Sequence, residues 1–479
     1  PPDGDDLVRR RGFIIADDFV VLLDKTADNP VPERGSSRND FKFAESPLLD
    51  DDVRQELVRR HYASFDFEIG GLKTRKKSMD RPSTEYSMLL AANGDDKAAR
   101  MARLTIDNSL ALIDPEWGGA YQYSTHGDWQ HPHYEKIMTT QAGYLRIYAL
   151  AYLQWGDERY LEGAKAIERY LADFLTSPDG GYYTSQDADL IQGRKGHEFF
   201  ALSAAERLAA GMPRIDTNVY SRENGWAIEA VTTLYRATGD VRYLERAVRA
   251  ADWIVENRAF DGGYRHGESD TGGPYLSDTL NMGRAFLELY RATGERRWLI
   301  LAGEAAAFIE THFKASGAGF LSGAGDVGPV RPQPYIDENI SVTRFLNLLS
   351  HYTGNVTWRD AAEHGMRYLA TEPVALRRFE ETGVVLAAFE LANDPAHFTV
   401  IAGKQETQGQ DLYAVTRRQP GWYVRAEWWD PVEGPLPNPD VRYPVLDRAA
   451  AFVCTRGRCS VPAFDPARYD ALIIGITAR

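Results

Sequence analysis

Six stretches of the chain carry apolar residues at helical spacing on most faces, near 83–93, 137–155, 223–238, 278–293, 339–353 and 380–392. Leu145, Tyr148, Ala149 and Tyr152 illustrate the recurrence, as do Met282, Phe286, Leu289 and Tyr290. Six further stretches, near 50–62, 95–112, 157–176, 240–258, 295–314 and 355–371, are amphipathic, with Glu, Arg and Lys gathered on one face. A short phrase joins the two kinds. Gly156-Asp157-Glu158-Arg159-Tyr160-Leu161 returns as Gly239-Asp240-Val241-Arg242-Tyr243-Leu244 and as Gly294-Glu295-Arg296-Arg297-Trp298-Leu299. Looser versions stand at Gly94-Asp95 and Gly354-Asn355. The glycine closes one helix in the left-handed conformation and the polar neighbour opens the next, so each phrase predicts a tight turn between antiparallel helices.

Helices buried on most sides, alternating with amphipathic ones, predict a double ring: an all-α (α/α)6 toroid of six helical hairpins over residues 49–395. An open solenoid is the alternative, but six is the number that closes such a ring. Turns from inner to outer helices are short. Returns from outer to inner helices are long, at 63–82, 113–136, 177–222, 259–277 and 315–338. Because the helices alternate in direction, all the long loops fall on one rim, over the N-termini of the inner helices. Long loops on a rigid scaffold carry function, and the helix N-termini offer free N–H groups to the same face. Residues 1–48 form an irregular segment with one strand candidate, Phe19-Val20-Val21-Leu22-Leu23. Residues 396–479 read as a small C-terminal α/β appendage, with strands at His397–Ile401 and Ala450–Val453 and a Pro-rich loop from Pro431 to Pro444.

Composition narrows the function classes. A net charge of −14 argues against a nucleic-acid surface, and the one basic run, 73–77, is short enough to be a solvated loop. No apolar run is long enough to span a membrane, so the chain reads as soluble, with the cytoplasm the favoured compartment. It opens on Pro1-Pro2 without Met or a signal peptide, as expected of a processed or trimmed protein. Two cysteines, Cys454 and Cys459, rule out a disulfide framework and an all-Cys metal site; a structural bridge and two plain thiols are both open. Neither metal nor cofactor is expected. Ten Trp and twenty-five Tyr are a rich aromatic supply for a helical chain, and stacking platforms for sugar rings are one use of it.

The loop 113–136 gathers Trp129, His131, His133 and Glu135 just ahead of an inner helix. His133 beside Glu135 is the arrangement of an acid/base with an orienting carboxylate, or of a pair that pins the loop. His131 and His133 lack metal-ligand spacing for one helix face. The next loop holds Tyr183, Asp187, Asp189 and His197; the two Asp are candidates for general acid/base work or for turn formation. Arg222, Asn224 and Trp226 open the third inner helix, Asp278 the fourth, and Asp337, Glu338 and Asn339 the fifth. Such residues also cap helices. Their recurrence on one rim predicts a polar, acidic and aromatic mouth, suited to a small polyhydroxylated, uncharged substrate better than to a phosphorylated one.

Several of these residues carry a resemblance. Trp117-Gly118-Gly119, Tyr123-Ser124-Thr125, His131-Pro132-His133-Tyr134-Glu135-Lys136, Gly180-Gly181-Tyr182-Tyr183 and Gln186-Asp187-Ala188-Asp189 are similar to phrases of the spermatogenesis-associated protein 20 family and its bacterial YyaL members. Asn224-Gly225-Trp226 and the stretch around Cys454 and Cys459 also resemble that family, over about residues 60 to 475. The resemblance implies a six-hairpin glycosidase-like barrel, related in fold to N-acylglucosamine and cellobiose 2-epimerases, but no reaction. The family's thioredoxin-like domain has no counterpart in the sequence, the segment between Phe200 and Arg222 is short, and Gly70-Gly71-Leu72-Lys73 departs from the family's phrase.

The expected function is a carbohydrate-active enzyme, with His133, Glu135, Asp187 or Asp189 moving protons. Epimerisation or isomerisation would use paired histidines, drawn from His133, His197 and His266, facing the barrel axis. Glycoside hydrolysis would use two carboxylates across the cleft, with Asp187 or Asp189 opposite Asp278, Asp337 or Glu338. The alternatives are a non-catalytic glycan- or peptide-binding scaffold and an enzyme acting on a non-sugar natural product.

Overall fold

Glycine at each predicted turn does what its position requires. Gly156, Gly239, Gly294 and Gly354 adopt positive φ of 66–75° at helix C-termini. Asp157, Asp240 and Asn355 then cap the following helices by accepting from first-turn N–H groups. The result, in a computed structural model describing residues 16–28, 42–194, 196–270, 272–324, 332–421, 423–455 and 458–477, is a closed toroid. The inner helices are Arg81–Ala92, Met138–Trp155, Ser221–Thr238, Leu276–Thr293, Ile336–Thr353 and Thr382–Ala392. Each packs on the next, and the sixth returns to the first. The outer helices are Asp51–Ser64, Asp96–Ser109, Glu158–Phe174, Val241–Arg258, Arg296–Phe313 and Val356–Leu369. One continuous apolar core lies between the rings, with Tyr148, Leu234, Phe286 and Leu346 wholly buried.

A second repeat becomes visible only in three dimensions. Five outer helices run into a glycine-containing hairpin, closed by the pairs Phe65–Leu72, Ile113–Ala120, Thr176–Tyr182, Ala259–Tyr264 and Lys314–Phe320. Inner-helix side chains hold four of them. Gln141 takes both backbone groups of Ala120 (2.7 and 2.6 Å), and Asn224 both of Tyr182 (2.7 and 3.0 Å). Asn339 does the same for Phe320 (2.7 and 2.9 Å), and Thr279 accepts from Tyr264 N–H (3.1 Å). The backbones meet so closely that a Cβ on Gly118 would lie 2.2 Å from the Ala166 carbonyl oxygen. Asn224→Ala is therefore expected to strand two buried backbone groups and cost about 1–3 kcal/mol in urea denaturation. A loss below a few tenths of that would show that the amide is not the pin.

The C-terminal strands form one sheet, in the order Arg458–Cys459, Ala450–Thr455, Ala396–Ile401, Val424–Trp429. Ala396–Ile401 and Val424–Trp429 run parallel, joined through helix Thr407–Arg417; the other pairs are antiparallel. This unit has its own small core around Phe398, Leu412, Val453 and Tyr469. It docks on the C-terminal ends of the inner helices, where Tyr352 Oη accepts from Ala426 N–H (2.9 Å) and Tyr413 Oη donates to the Arg291 carbonyl (2.9 Å). The rim opposite the long loops is thereby covered. Cys454 and Cys459 face each other in the outer strand pair and are joined by a disulfide.

The strand expected at 19–23 is instead part of helix Ala16–Asp28. Asp17 and Asp18 in its first turn and Lys25 in its last suit a helix dipole. No helix among the described residues is long and apolar enough to cross a membrane.

Candidate active site

All six inner helices contribute to one cavity of about 910 Å³ at the long-loop rim. Its floor is ionic, and each inner helix supplies one charge. Arg146 pairs with Glu229 (3.0 Å) and approaches Glu85 (3.8 Å); Arg284 pairs with Glu229 (3.0 Å). Arg344 bridges Glu85 (2.5 Å) and Glu390 (2.7 Å). Three guanidiniums and three carboxylates thus seal the barrel axis without a net charge.

Above the floor the carboxylates change character. Glu338, in the first turn of the fifth inner helix, has its pKa pushed up to about 7, chiefly by burial. Its Oε2 is buried with no hydrogen-bond partner among the described residues. Arg222, which lies toward Glu338 from the third inner helix, bonds Glu223 (2.5 Å) and rests against the Trp226 ring. Asp278 stands behind them, accepting from His266 Nδ1 (2.9 Å) and from Arg222 N–H (2.9 Å). Burial raises its carboxyl above the usual range, and the hydrogen bond to Asp278 raises His266.

A second acid set belongs to the first and sixth inner helices, across the ring from the third and fourth. Asp80 caps the first by accepting from Ser83 N–H (3.0 Å); burial and the neighbouring Glu380 push it up to about 6. Glu381, at the start of the sixth, is pushed up to about 8 by burial, although Arg378 lies 3.2 Å away. Arg378 also forks onto Asp337 (2.7 and 2.9 Å). The mouth therefore gathers weakly acidic carboxyls from the first, fifth and sixth inner helices, with guanidiniums among them.

Of the residues singled out from sequence, Arg222, Trp226, Asp337 and Glu338 line this cavity and Asp278 supports it. The structure does not bring His133, Glu135, Asp187 and Asp189 into it. His133 lies 3.6 Å from Glu135 and stacks on Tyr123, with both members of the pair half-buried. Asp187 accepts from Asp189 N–H (3.1 Å), a local turn. His131 pairs with Asp128 (2.8 Å), and His197 meets the Tyr134 hydroxyl (3.0 Å). Trp129 donates to the Ile69 carbonyl (2.7 Å), Tyr183 packs on the core, and Asn224 and Asn339 are occupied as hairpin pins. The Glu-Lys end of the 131–136 phrase is an anchor: buried Lys136 bonds Asp114 (2.7 Å), which also takes Arg207 (2.7 Å).

Among the described residues no histidine lines the cavity, so the paired histidines that epimerisation would use are not found there. No cluster of three or more His, Cys, Asp or Glu is arranged to hold a metal among the described residues. Sequence reasoning missed Asp80, Arg81, Glu380 and Glu381. They hold the same place, just before or within the first turn of an inner helix, as the residues it found on the third, fourth and fifth. Applying that rule to the first and sixth helices would have found them.

The architecture defines the class: a six-hairpin (α/α)6 toroid. It superposes on a D-mannose isomerase with a TM-score of 0.54 at 12% identity, covering 71% of this chain and 96% of that one. It superposes on the cellobiose 2-epimerase of Bacillus thermoamylovorans with a TM-score of 0.53 at 13% identity, covering 67% and 86%. In sequence, the chain is a homologue of human spermatogenesis-associated protein 20, 41% identical over 147 residues, which are 31% of this chain and 16% of that protein. It is also a homologue of the cellobiose 2-epimerase of Bacteroides fragilis, 32% identical over 152 residues, 32% of this chain and 33% of the enzyme. The chain thus matches well under half the length of these relatives. No family model matches it.

Proposed function

We propose that this protein is a carbohydrate-active enzyme that binds a sugar in the barrel mouth and moves protons with carboxyl groups rather than histidines. The observation that carries this is Glu338: a carboxyl with a pKa near 7, a buried oxygen free of protein partners, and a place on the cavity wall. Such a group is half ionised at neutral pH, where it can both give and take a proton. Asp80, mostly ionised at pH 7, stands as the base, and Glu381, mostly protonated, as a second donor. Trp226 offers an apolar face for a sugar ring.

Glycosidic cleavage is the reaction for which two opposed carboxyls suffice, one protonating the leaving oxygen and the other acting on the far side. The similarity to cellobiose 2-epimerases favours a second reading, proton transfer at a sugar carbon. A panel of aldoses and disaccharides incubated in D2O separates them. New reducing ends mark cleavage, and deuterium at carbon marks epimerisation or isomerisation. A protein that binds sugars yet produces neither signal with any of them is a binding scaffold, and the proposal fails.

A further inference from the structure

The guanidiniums of the cavity are matched by carboxylates with few exceptions. Arg146, Arg284 and Arg344 are balanced by the three floor glutamates, Arg222 by Glu223, and Arg378 by Asp337 and Glu381. Arg377 sits on the exposed lip. The Arg81 guanidinium likewise has no hydrogen bond or ion pair with any described residue, but it lines the cavity from the first turn of the first inner helix and not from a loop.

The groups that face Arg81 do not neutralise it. They are Asp80 and Glu229 of one sign and Arg284 and Arg146 of the other. Glu229 is already shared by those two arginines, and Asp80 gives an oxygen to Ser83 N–H. Arg81 is exposed to the open mouth, so a ligand entering the cavity can reach its guanidinium. Its side chain runs along the second inner helix, where a Cβ on Gly143 would meet the Arg81 Cδ at 2.4 Å.

We propose that the sugar bound here is acidic, and that Arg81 receives its carboxylate. This rests on the reading of the mouth as a sugar site and names the class of sugar. A planar guanidinium presents two parallel N–H groups to a carboxylate, a match that a hydroxyl cannot supply. A phosphate dianion would carry a second negative charge into a rim that already holds Asp337, Glu338, Glu380 and Glu381.

The test is calorimetric titration of the full chain with glucuronate, galacturonate, glucose, galactose and glucose 6-phosphate. At least one uronate should bind about tenfold or more tightly than its neutral counterpart, the scale of a charge-assisted bidentate contact. Arg81→Gln should abolish that preference, weakening uronate binding far more than neutral-sugar binding. Gly143→Ala should weaken it by displacing the guanidinium without removing its charge. Unchanged melting temperatures guard against misfolding, and if Arg81→Gln does not fold, Gly143→Ala carries the test. Equal binding of uronate and neutral sugar, a preference for the phosphate, or a preference that survives both variants overturns the proposal. Turnover of neutral sugars with no uronate preference would sink this inference and leave the sugar-enzyme reading standing; no binding of any sugar would sink both.

Discussion

Glu338→Gln is expected to lower kcat/KM on whichever sugar is turned over by about 10²–10⁴-fold, the usual contribution of one positioned acid/base group. The amide keeps the shape and loses only the exchangeable proton, so sugar binding should persist while turnover falls. The pH profile supplies a second readout. A proton donor with a pKa near 7 and a base near 6 predict a bell-shaped kcat/KM profile, falling below about pH 6 as Asp80 protonates and above about pH 7–8 as the donors ionise. These are values of a coupled set, so the limbs report the set and not single residues.

Stability should move the other way. The folded-state pKa of Glu338 is raised from its ordinary 4.5 to about 7. Between those values the unfolded chain is ionised while the native carboxyl is neutral, so native stability is lost as pH rises through the window. The glutamine variant has nothing to ionise and should melt higher than wild type at pH 8, with little difference near pH 4. Loss of activity together with a lower melting temperature at pH 8 would mean a structural role for Glu338. His133→Ala is the contrast: a half-buried surface pair outside the cavity should leave stability within about 1 kcal/mol and turnover almost untouched.

Arg344→Met is expected to cost about 3–5 kcal/mol, the scale for removing one partner of a buried ionic pair. Arg344 is the shared partner of Glu85 on the first inner helix and Glu390 on the sixth, so its loss leaves two carboxylates facing each other at the seam where the ring closes. Burial already pushes Glu390 up, while Arg344 and Arg146 together hold Glu85 down against burial. Urea denaturation measures the loss, and the double variant Arg344→Met, Glu390→Gln should recover part of it by removing one of the stranded charges. A single-variant loss under 1 kcal/mol would show that water reaches the floor and that the ring is not held there.

The twelve helices and their order were legible in the chain because their causes are local. Periodicity of apolar residues, a left-handed glycine and an acidic cap act within a few positions, and Gly239-Asp240 makes the same turn wherever it stands. The location of the site at the inner-helix N-termini followed from the alternation of direction. Its membership did not follow. The loop 113–136 is dense in polar groups, yet it uses them on itself: Asp128 on His131, and Lys136 with Asp114 and Arg207. Asn224 and Asn339 read as ligand-binding amides, and their hydrogen bonds go to hairpin backbones. Closure of the ring alone set Asp80, Arg81, Glu338 and Glu381 around one cavity, because residues up to three hundred positions apart approach the axis only when the sixth inner helix packs on the first. The shifted carboxyl pKa values arise at that same step, since burial is a property of the closed mouth and not of any segment that lines it.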